Sequence, residues 1–389
     1  MKRKPHDKYR FPWRDGNQFR LWVDGRRFFP VMLEAIAQAR AFVLLEMYLF
    51  ESGAVADRFI SAFVEAAQRG VKVYLLLDDF GAWGLQNQDR ARLVEAGVRL
   101  AWYNPLHYGK LRRNLFRNHR KLLLVDGEVA FTGGVGITDQ FDPPGEPDSA
   151  WHDTVIEIRG PNVADWQTLF AETWQRWSGQ PLELPPTRPA RAGSQLGRVV
   201  IARAGREVEV RRSFVRAVRA AERRVWLATA YFVPSWKLRR ALRRAAHRGV
   251  DVRLLLPGPI TDHPGVRHAG RRLYSRLLRN GVHIFEYQPR FSHTKLMLCD
   301  DWVSTGSSNS DRWNLHWNLE ANQEVNDRQF AAEAQAMFEA DFADSVEIHY
   351  EAWHRRPWYR RVLEWFWGSV DTWLERSNHF RRIRRKPNP

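Results

Sequence analysis

His119 and Lys121 stand two residues apart at the head of an apolar run, "NHRKLLLVDGEVAFTGG" (118–134), where core packing has no use for either. The run reads as a strand: Leu122, Leu123, Leu124 and Val125 are apolar, and Gly127, Gly133 and Gly134 supply turn signals beyond it. Alternate side chains of a strand share a face, so the imidazole and the ammonium point the same way, with Asp126 downstream. A second stretch, "SHTKLMLCDDWVSTGSSN" (292–309), repeats the arrangement as His293, Lys295 and Asp300, followed by a Gly/Ser turn. All three positions are offset from the first set by the same 174 residues. One short motif of this kind arises readily by chance, whereas two copies in register do not.

Paired imidazoles and ammoniums suit phosphodiester chemistry. The anionic oxygens of a diester repel nucleophiles, so a catalyst needs cations around them, an attacking group and an acid for the leaving alcohol. One imidazole can attack phosphorus and form a phosphohistidine while the other, protonated, donates to the departing oxygen. The second then deprotonates an incoming alcohol or water, and neither a metal nor another cofactor is required. Lys121 and Lys295 would hold the non-bridging oxygens, with Ser308 and Asn309 of "GSSN" adding hydrogen bonds. Each histidine also needs a carboxylate to fix its tautomer, and the downstream candidates are Asp153 in "WHD" and Glu320 in "NLEAN".

The elements that must carry these residues are duplicated too. "RAFVLLEMYLFES" (40–52) parallels "RRVWLATAYFVPS" (223–235), "AAQRGVKVYLLLDDFG" (66–81) parallels "AAHRGVDVRLLLPGPI" (245–260), and "LVEAGVRLAWYNP" (93–105) parallels "LLRNGVHIFEYQP" (277–289). Each half therefore alternates strand and helix before reaching its H-x-K strand, which predicts a duplicated α/β fold with sheets covered on both faces. The stretch "GQPLELPPTRPARAGSQLGR" (179–198) is rich in proline and small residues and separates the copies. The expected organisation is an N-terminal domain at 1–180, a linker at 181–198, a C-terminal domain at 199–350 and a basic Trp-rich tail at 351–389.

Composition narrows the function class. At 389 residues and 44% hydrophobic content the chain can bury two full cores, and the single cysteine, Cys299, excludes a disulfide framework. The charged N-terminus lacks the apolar stretch of a secretory signal, and no segment offers the ~18 uninterrupted apolar residues of a membrane span. The net charge of +17 calls for an anionic partner, either nucleic acid or an acidic membrane face. In the tail, Trp358, Tyr359, Trp365, Phe366, Trp367 and Trp373 interleave with arginines, a mixture suited to an anionic headgroup boundary or, equally, to packing on the fold.

The doubled H-x-K-x-x-x-x-D motif, with "GG" and "GSSN" after its two copies, resembles the phospholipase D superfamily. "RNLFRNHRK", "WHDTVIEIRGPNVADWQTLFAETW" and "GSSNSDRWNLHWNLEAN" are similar to bacterial cardiolipin synthases without transmembrane helices, over roughly residues 10 to 350. The resemblance implies a pseudo-twofold, bilobed α/β/α monomer with mixed sheets and one active site between the lobes. It implies phosphatidyl transfer between two phosphatidylglycerol molecules with release of glycerol, at the cytoplasmic face of the inner membrane, by a peripheral protein. Anionic phospholipids, phosphatidylglycerol and cardiolipin among them, and the membrane surface are then the expected partners, and nucleic acid is not. His119 is implied as nucleophile and His293 as general acid; Asp126 and Asp300 complete the motifs, with an aspect more structural than catalytic. Arg113 and Arg117 of the basic, partly apolar segment "YGKLRRNLFR" (108–117) are placed to meet an anionic headgroup. The chain departs from the pattern at Gly136, where the family often has Asn, and Thr138 is the nearby candidate to replace it. Water as acceptor would make the protein a phospholipase, a nucleic-acid backbone as substrate would make it a nuclease, and a non-enzymatic adaptor would have no need of two intact motifs.

Overall fold

The computed structural model describes residues 9–107, 109, 114–184, 189–203, 207–310 and 317–356; Arg113 and the tail from 357 onward lie outside them. In the first half, β1 (Arg14–Val23), β2 (Phe42–Met47), β3 (Lys72–Asp78), β4 (Arg99–Tyr103), β5 (Leu122–Val125), β6 (Val129–Gly133) and β7 (Thr154–Arg159) lie side by side in the order β1-β7-β6-β5-β2-β3-β4. The second half has β8 (Gln195–Arg203), β9 (Glu207–Val208), β10 (Arg224–Thr229), β11 (Asp251–Pro257), β12 (His283–Tyr287), β13 (Lys295–Cys299), β14 (Trp302–Gly306), β15 (Glu320–Asn326) and β16 (Ser345–Glu347). Its order, β8-β15-β14-β13-β10-β11-β12, repeats the first strand for strand, with β16 added beyond β12 and β9 paired to β8.

The duplicated mixed α/β architecture expected from the repeats is thus present. The two sheets are joined, however: β1 pairs antiparallel with β8 through Arg14 with Gly197 and Asn17 with Gln195, giving one sheet of 16 strands. β8 consequently begins inside the segment read as a linker, because Gln195 and Gly197 find backbone partners on β1.

Parallel strands need both faces covered, and the sequence supplies the cover. β2 and β3 are buried almost throughout, as are β10 and β11 over their carboxyl halves. Helix Ala54–Gln68 turns Val55, Phe59, Ile60 and Phe63 inward, and helix Trp236–His247 does the same with Leu238, Ala241, Leu242 and Ala245. Both stop where the repeated "RG" places Gly70 and Gly249 in the left-handed region (φ 88° and 86°), a conformation glycine adopts without strain.

One hydrophobic core spans the lobes. It includes Phe19, Ile156 and Trp166 from the first half and Val199, Ala321 and Phe338 from the second. Trp166 Nε1 donates to Gln323 Oε1 across the seam at 2.9 Å. At the start of the tail, Trp353 is buried with its ring 4.9 Å from that of Tyr274. Among the described residues no helix is long and apolar enough to cross a membrane.

Candidate active site

Each H-x-K motif enters its strand beside the carboxyl end of an antiparallel neighbour: Leu122 of β5 faces Glu46 of β2, and Lys295 of β13 faces Thr229 of β10. Between His119 and Lys121, Arg120 points to the opposite face, buried beside Glu46 and Thr173 as strand alternation requires.

The backbone ahead of each motif pairs with the other half of the chain. His119 N donates to Leu319 O at 3.0 Å, and Leu319 N returns a bond to Arg117 O at 2.9 Å. At the equivalent place in the second half, His293 N donates to His152 O (2.8 Å) and His152 N to Phe291 O (2.9 Å). Glu320 and Asp153 are the next residues along these bridges, so each is delivered to the histidine of the opposite lobe. His119 Nδ1 lies 3.0 Å from Glu320 Oε1, and His293 Nδ1 lies 2.8 Å from Asp153 Oδ2. An ionised carboxylate only accepts, so Nδ1 of His293 carries the proton and its Nε2 is left with a lone pair. The same logic holds for His119, although its contact with Glu320 is poorly aligned for a hydrogen bond.

Both lysines are buried and folded back along their own strands. Lys121 Nζ donates to the His119 carbonyl at 2.7 Å, and Lys295 Nζ to the His293 carbonyl at 2.6 Å. Lys295 Nζ also lies 3.0 and 3.1 Å from the two ring nitrogens of His293. Tyr48 places its ring 4.8 Å from that of His119, and Tyr231 its ring 6.4 Å from that of His293. These tyrosines occupy matching positions in the repeated blocks "MYLF" and "AYFV", so the repeat itself marks them.

Crowding basic groups together out of water suppresses the charge of His119, His293 and Lys121. Burial and then Lys121 hold the His119 imidazole below its ordinary 6.5, while burial and Lys295 push His293 down to about 4. Burial, aided by Lys295, brings the Lys121 ammonium down to about 7. The imidazoles are therefore neutral near pH 7, the form that can attack or accept a proton. A phosphodiester anion entering between the lysines would favour protonation of the neighbouring groups, as an opposite charge does at close range.

The second half adds polar atoms with no partner among the described residues: Ser308 Oγ, Asn309 Nδ2 and Asn309 Oδ1, all buried. A buried donor or acceptor left unpaired costs about 1–3 kcal/mol, so these groups suit an oxygen-rich ligand. The first half has Val135 and Gly136 at the equivalent positions. A side chain at Gly136 would bring its Cβ to 2.8 Å from Leu49 Cβ, and Thr138 does not stand in for it, since its hydroxyl donates to Glu51 at 2.9 Å. The cradle is one-sided.

Several expected site residues do other work. The Arg117 guanidinium faces inward, bonding Asp78 Oδ1 (3.2 Å) and the Asn104 carbonyl (2.9 Å), so it braces the motif segment instead of meeting a headgroup. Arg113 is outside the described residues. Asp126 and Asp300 lie at the far ends of β5 and β13, roughly 16 Å beyond the lysines at about 3.3 Å per residue. Asp126 accepts from the amides of Arg40, Ala41 and Phe42, each at 2.8 Å, and Asp300 from those of Glu222, Arg223 and Arg224 at 2.9–3.0 Å. They anchor the strands at the ends remote from the histidines.

His152, the residue before Asp153 in "WHD", joins the lobes beside the site. Its Nδ1 lies 2.8 Å from Asp24 Oδ1 and its Nε2 3.0 Å from Asp341 Oδ2, under the stacked ring of Tyr287. Burial opposes its charge, but the two carboxylates prevail and raise it to about 9. Arg290 completes the cluster on Asp24 at 2.5 Å.

A family model described as "Cardiolipin synthase, PLD-like domain" matches residues 32–174 and 214–342. Cardiolipin synthase A of Pseudomonas aeruginosa (strain LESB58) is 38% identical over 346 residues, covering 87% of this chain and 70% of that one. Cardiolipin synthase B of Salmonella typhi is 36% identical over 330 residues, covering 82% and 78%. Among solved structures, phosphatidylserine synthase of Haemophilus influenzae Rd KW20 superposes with a TM-score of 0.70 at 12% identity, over 91% of this chain and 94% of that one, a likeness of fold. With two intact motifs facing each other across the seam and the family match spanning both halves, the chain belongs to the PLD-like cardiolipin synthase family.

Proposed function

We propose that the protein is a phosphatidyltransferase that makes cardiolipin from two molecules of phosphatidylglycerol. The observation that carries the reading is the reciprocal pair of histidines, each backed at Nδ1 by a carboxylate from the opposite lobe. Binding of the phosphodiester anion draws a proton onto Nε2 of His293; His119 Nε2 then attacks phosphorus, the bond from phosphorus to the glycerol oxygen breaks, and that oxygen takes the proton from Nε2 of His293. Neutral His293 then removes the proton of a hydroxyl on the second phosphatidylglycerol, whose oxygen displaces His119 from phosphorus. Protons balance over the cycle, and both imidazoles return to their starting states. Lys121, Lys295, Ser308 and Asn309 bind the non-bridging oxygens. Asp153 and Glu320 hold the tautomers and stabilise each imidazolium as it forms.

The working site is the surface of an anionic membrane, with the protein peripheral on the cytoplasmic face; the net charge of +17 supports this. Expression in cells lacking cardiolipin, beside a His119→Ala control, followed by lipid mass spectrometry, tests the reading. Cardiolipin should appear only with intact His119. Accumulation of phosphatidic acid instead would identify water as the acceptor, and cardiolipin formed by the His119→Ala protein would refute the covalent route.

A further inference from the structure

Eight large hydrophobic side chains are exposed among the described residues, and six of them gather at one edge of the fold. Phe80 and Trp83 follow β3, Leu106 follows β4, and Leu115 precedes the first motif. In the other lobe Trp236 follows β10 and Ile260 follows β11. Since β2, β3 and β4 are parallel, as are β10, β11 and β12, these loops issue from the same strand ends that hold His119 and His293. The two exceptions, Val94 and Val346, lie away from that edge, at the other end of helix Asn87–Glu95 and on the outermost strand β16.

Short tethers connect this rim to the site. Asp78 accepts from the amides of Phe80 and Gly81, each at 3.1 Å, and from the Asn118 amide at 2.8 Å, so the loop carrying Phe80 and Trp83 is fixed one residue from His119. Leu106 N donates to Asp79 Oδ2 at 3.1 Å. In the second lobe, Tyr231 beside His293 bonds Asp262, two residues after Ile260. Trp83 is 70% exposed and Trp236 54%, although a tryptophan with nothing to cover it would ordinarily turn inward.

Cations adjoin the apolar groups. Arg240 lies over the Trp236 ring at 5.1 Å. Lys237, the next residue, opens a cleft of about 610 Å³ whose other charged walls among the described residues are Arg211, Arg212, Arg216 and Arg219. An apolar rim that continues into a basic cleft matches a bilayer whose headgroups are anionic: aromatic and aliphatic tips enter the headgroup boundary while arginine and lysine meet phosphates.

We infer that the mouth of the active site docks on an anionic phospholipid bilayer through this rim, with Phe80, Trp83, Leu106, Leu115, Trp236 and Ile260 entering the interface and the Lys237 cleft holding headgroups. The inference rests on the lipid-transfer reading and adds the orientation: both histidines face the membrane, and a lipid reaches them without leaving the surface wholly.

The buried, solitary Cys299 makes the test practical, because an introduced thiol can be labelled selectively. Full-length Trp83→Cys, Trp236→Cys and Val94→Cys proteins carry an environment-sensitive fluorophore and are mixed with phosphatidylglycerol vesicles; Ile260→Cys replaces Trp236→Cys if that variant does not fold. Labels at 83 and 236 should brighten and shift to the blue, while the label at 94 stays unchanged. Failure to sediment with the vesicles overturns the docking surface. So does sedimentation with silent rim labels, or with an equal response at 94, since another face would then be bound. Turnover of a short-chain phosphatidylglycerol below its micellar concentration is followed in parallel. Its absence in the wild-type protein counts against the transferase reading, and silent labels with turnover intact count against docking alone.

Discussion

Exchange of carboxylates between the halves makes each histidine depend on a residue roughly 140 to 200 positions away in the chain, His293 on Asp153 and His119 on Glu320. The dependence is chemical more than structural. An amide in place of Asp153 can donate to Nδ1, favour the wrong tautomer, and leave the imidazolium unsupported. Asp153→Asn and Glu320→Gln are each expected to lower kcat about 10²–10⁴-fold with little change in melting temperature, as measured by steady-state transfer assays and thermal denaturation. A loss confined to one variant would mean that only one histidine needs its carboxylate. Both acids could be nominated from the sequence because each follows its motif, yet nothing along the chain distinguishes a partner in the same half from one in the other.

At the scale of the strand, the motif aspartates explain themselves by geometry. Asp126 and Asp300 sit in the left-handed region (φ 52° and 53°), where a short polar side chain is tolerated, and each gathers three backbone amides from the turn leading into the neighbouring strand. Their role is to close β5 onto β2 and β13 onto β10, which fixes the register that puts His and Lys at the opposite strand end. Asp126→Ala or Asp300→Ala should cost at least about 1–3 kcal/mol, the scale for stranding a hydrogen-bonding group, and be read as a lower denaturant midpoint. Turnover per folded molecule should stay within about two-fold, in contrast to the histidine partners. The fixed spacing to Asp was visible in both repeats; its meaning was not, because a strand of unknown pairing has no defined far end.

For the molecule as a whole, the seam has an electrostatic bolt beside its active site. His152, Asp24, Asp341 and Arg290 come from four separate segments of both halves, with Tyr287 stacked on the imidazole. The His152 value is raised from 6.5 to about 9, so its stabilisation is fully present below pH 6.5 and is lost as pH rises through about 9. The shift corresponds to the order of 3 kcal/mol. His152→Gln should therefore melt lower than wild type near pH 6, and the gap should narrow towards pH 9.5, as followed by thermal melts across pH. His293, lowered to about 4, acts in the other direction: stability falls as pH drops from 6.5 towards 4, because the unfolded chain takes up a proton that the folded site refuses.

The sequence by itself determined the duplication, the alternation of strand and helix, the two H-x-K strands and the class of chemistry they serve. Those features are local or periodic, and residue type and spacing encode them directly. Tertiary structure alone decided that the halves share one sheet and one core, that each histidine borrows its acid across the seam, that Arg117 faces inward, and that His152 is a buried cation. These depend on which surfaces meet when two similar lobes pack about a pseudo-twofold axis. That choice is made by the summed burial and hydrogen bonding of residues far apart in the chain, and no single stretch of sequence records it.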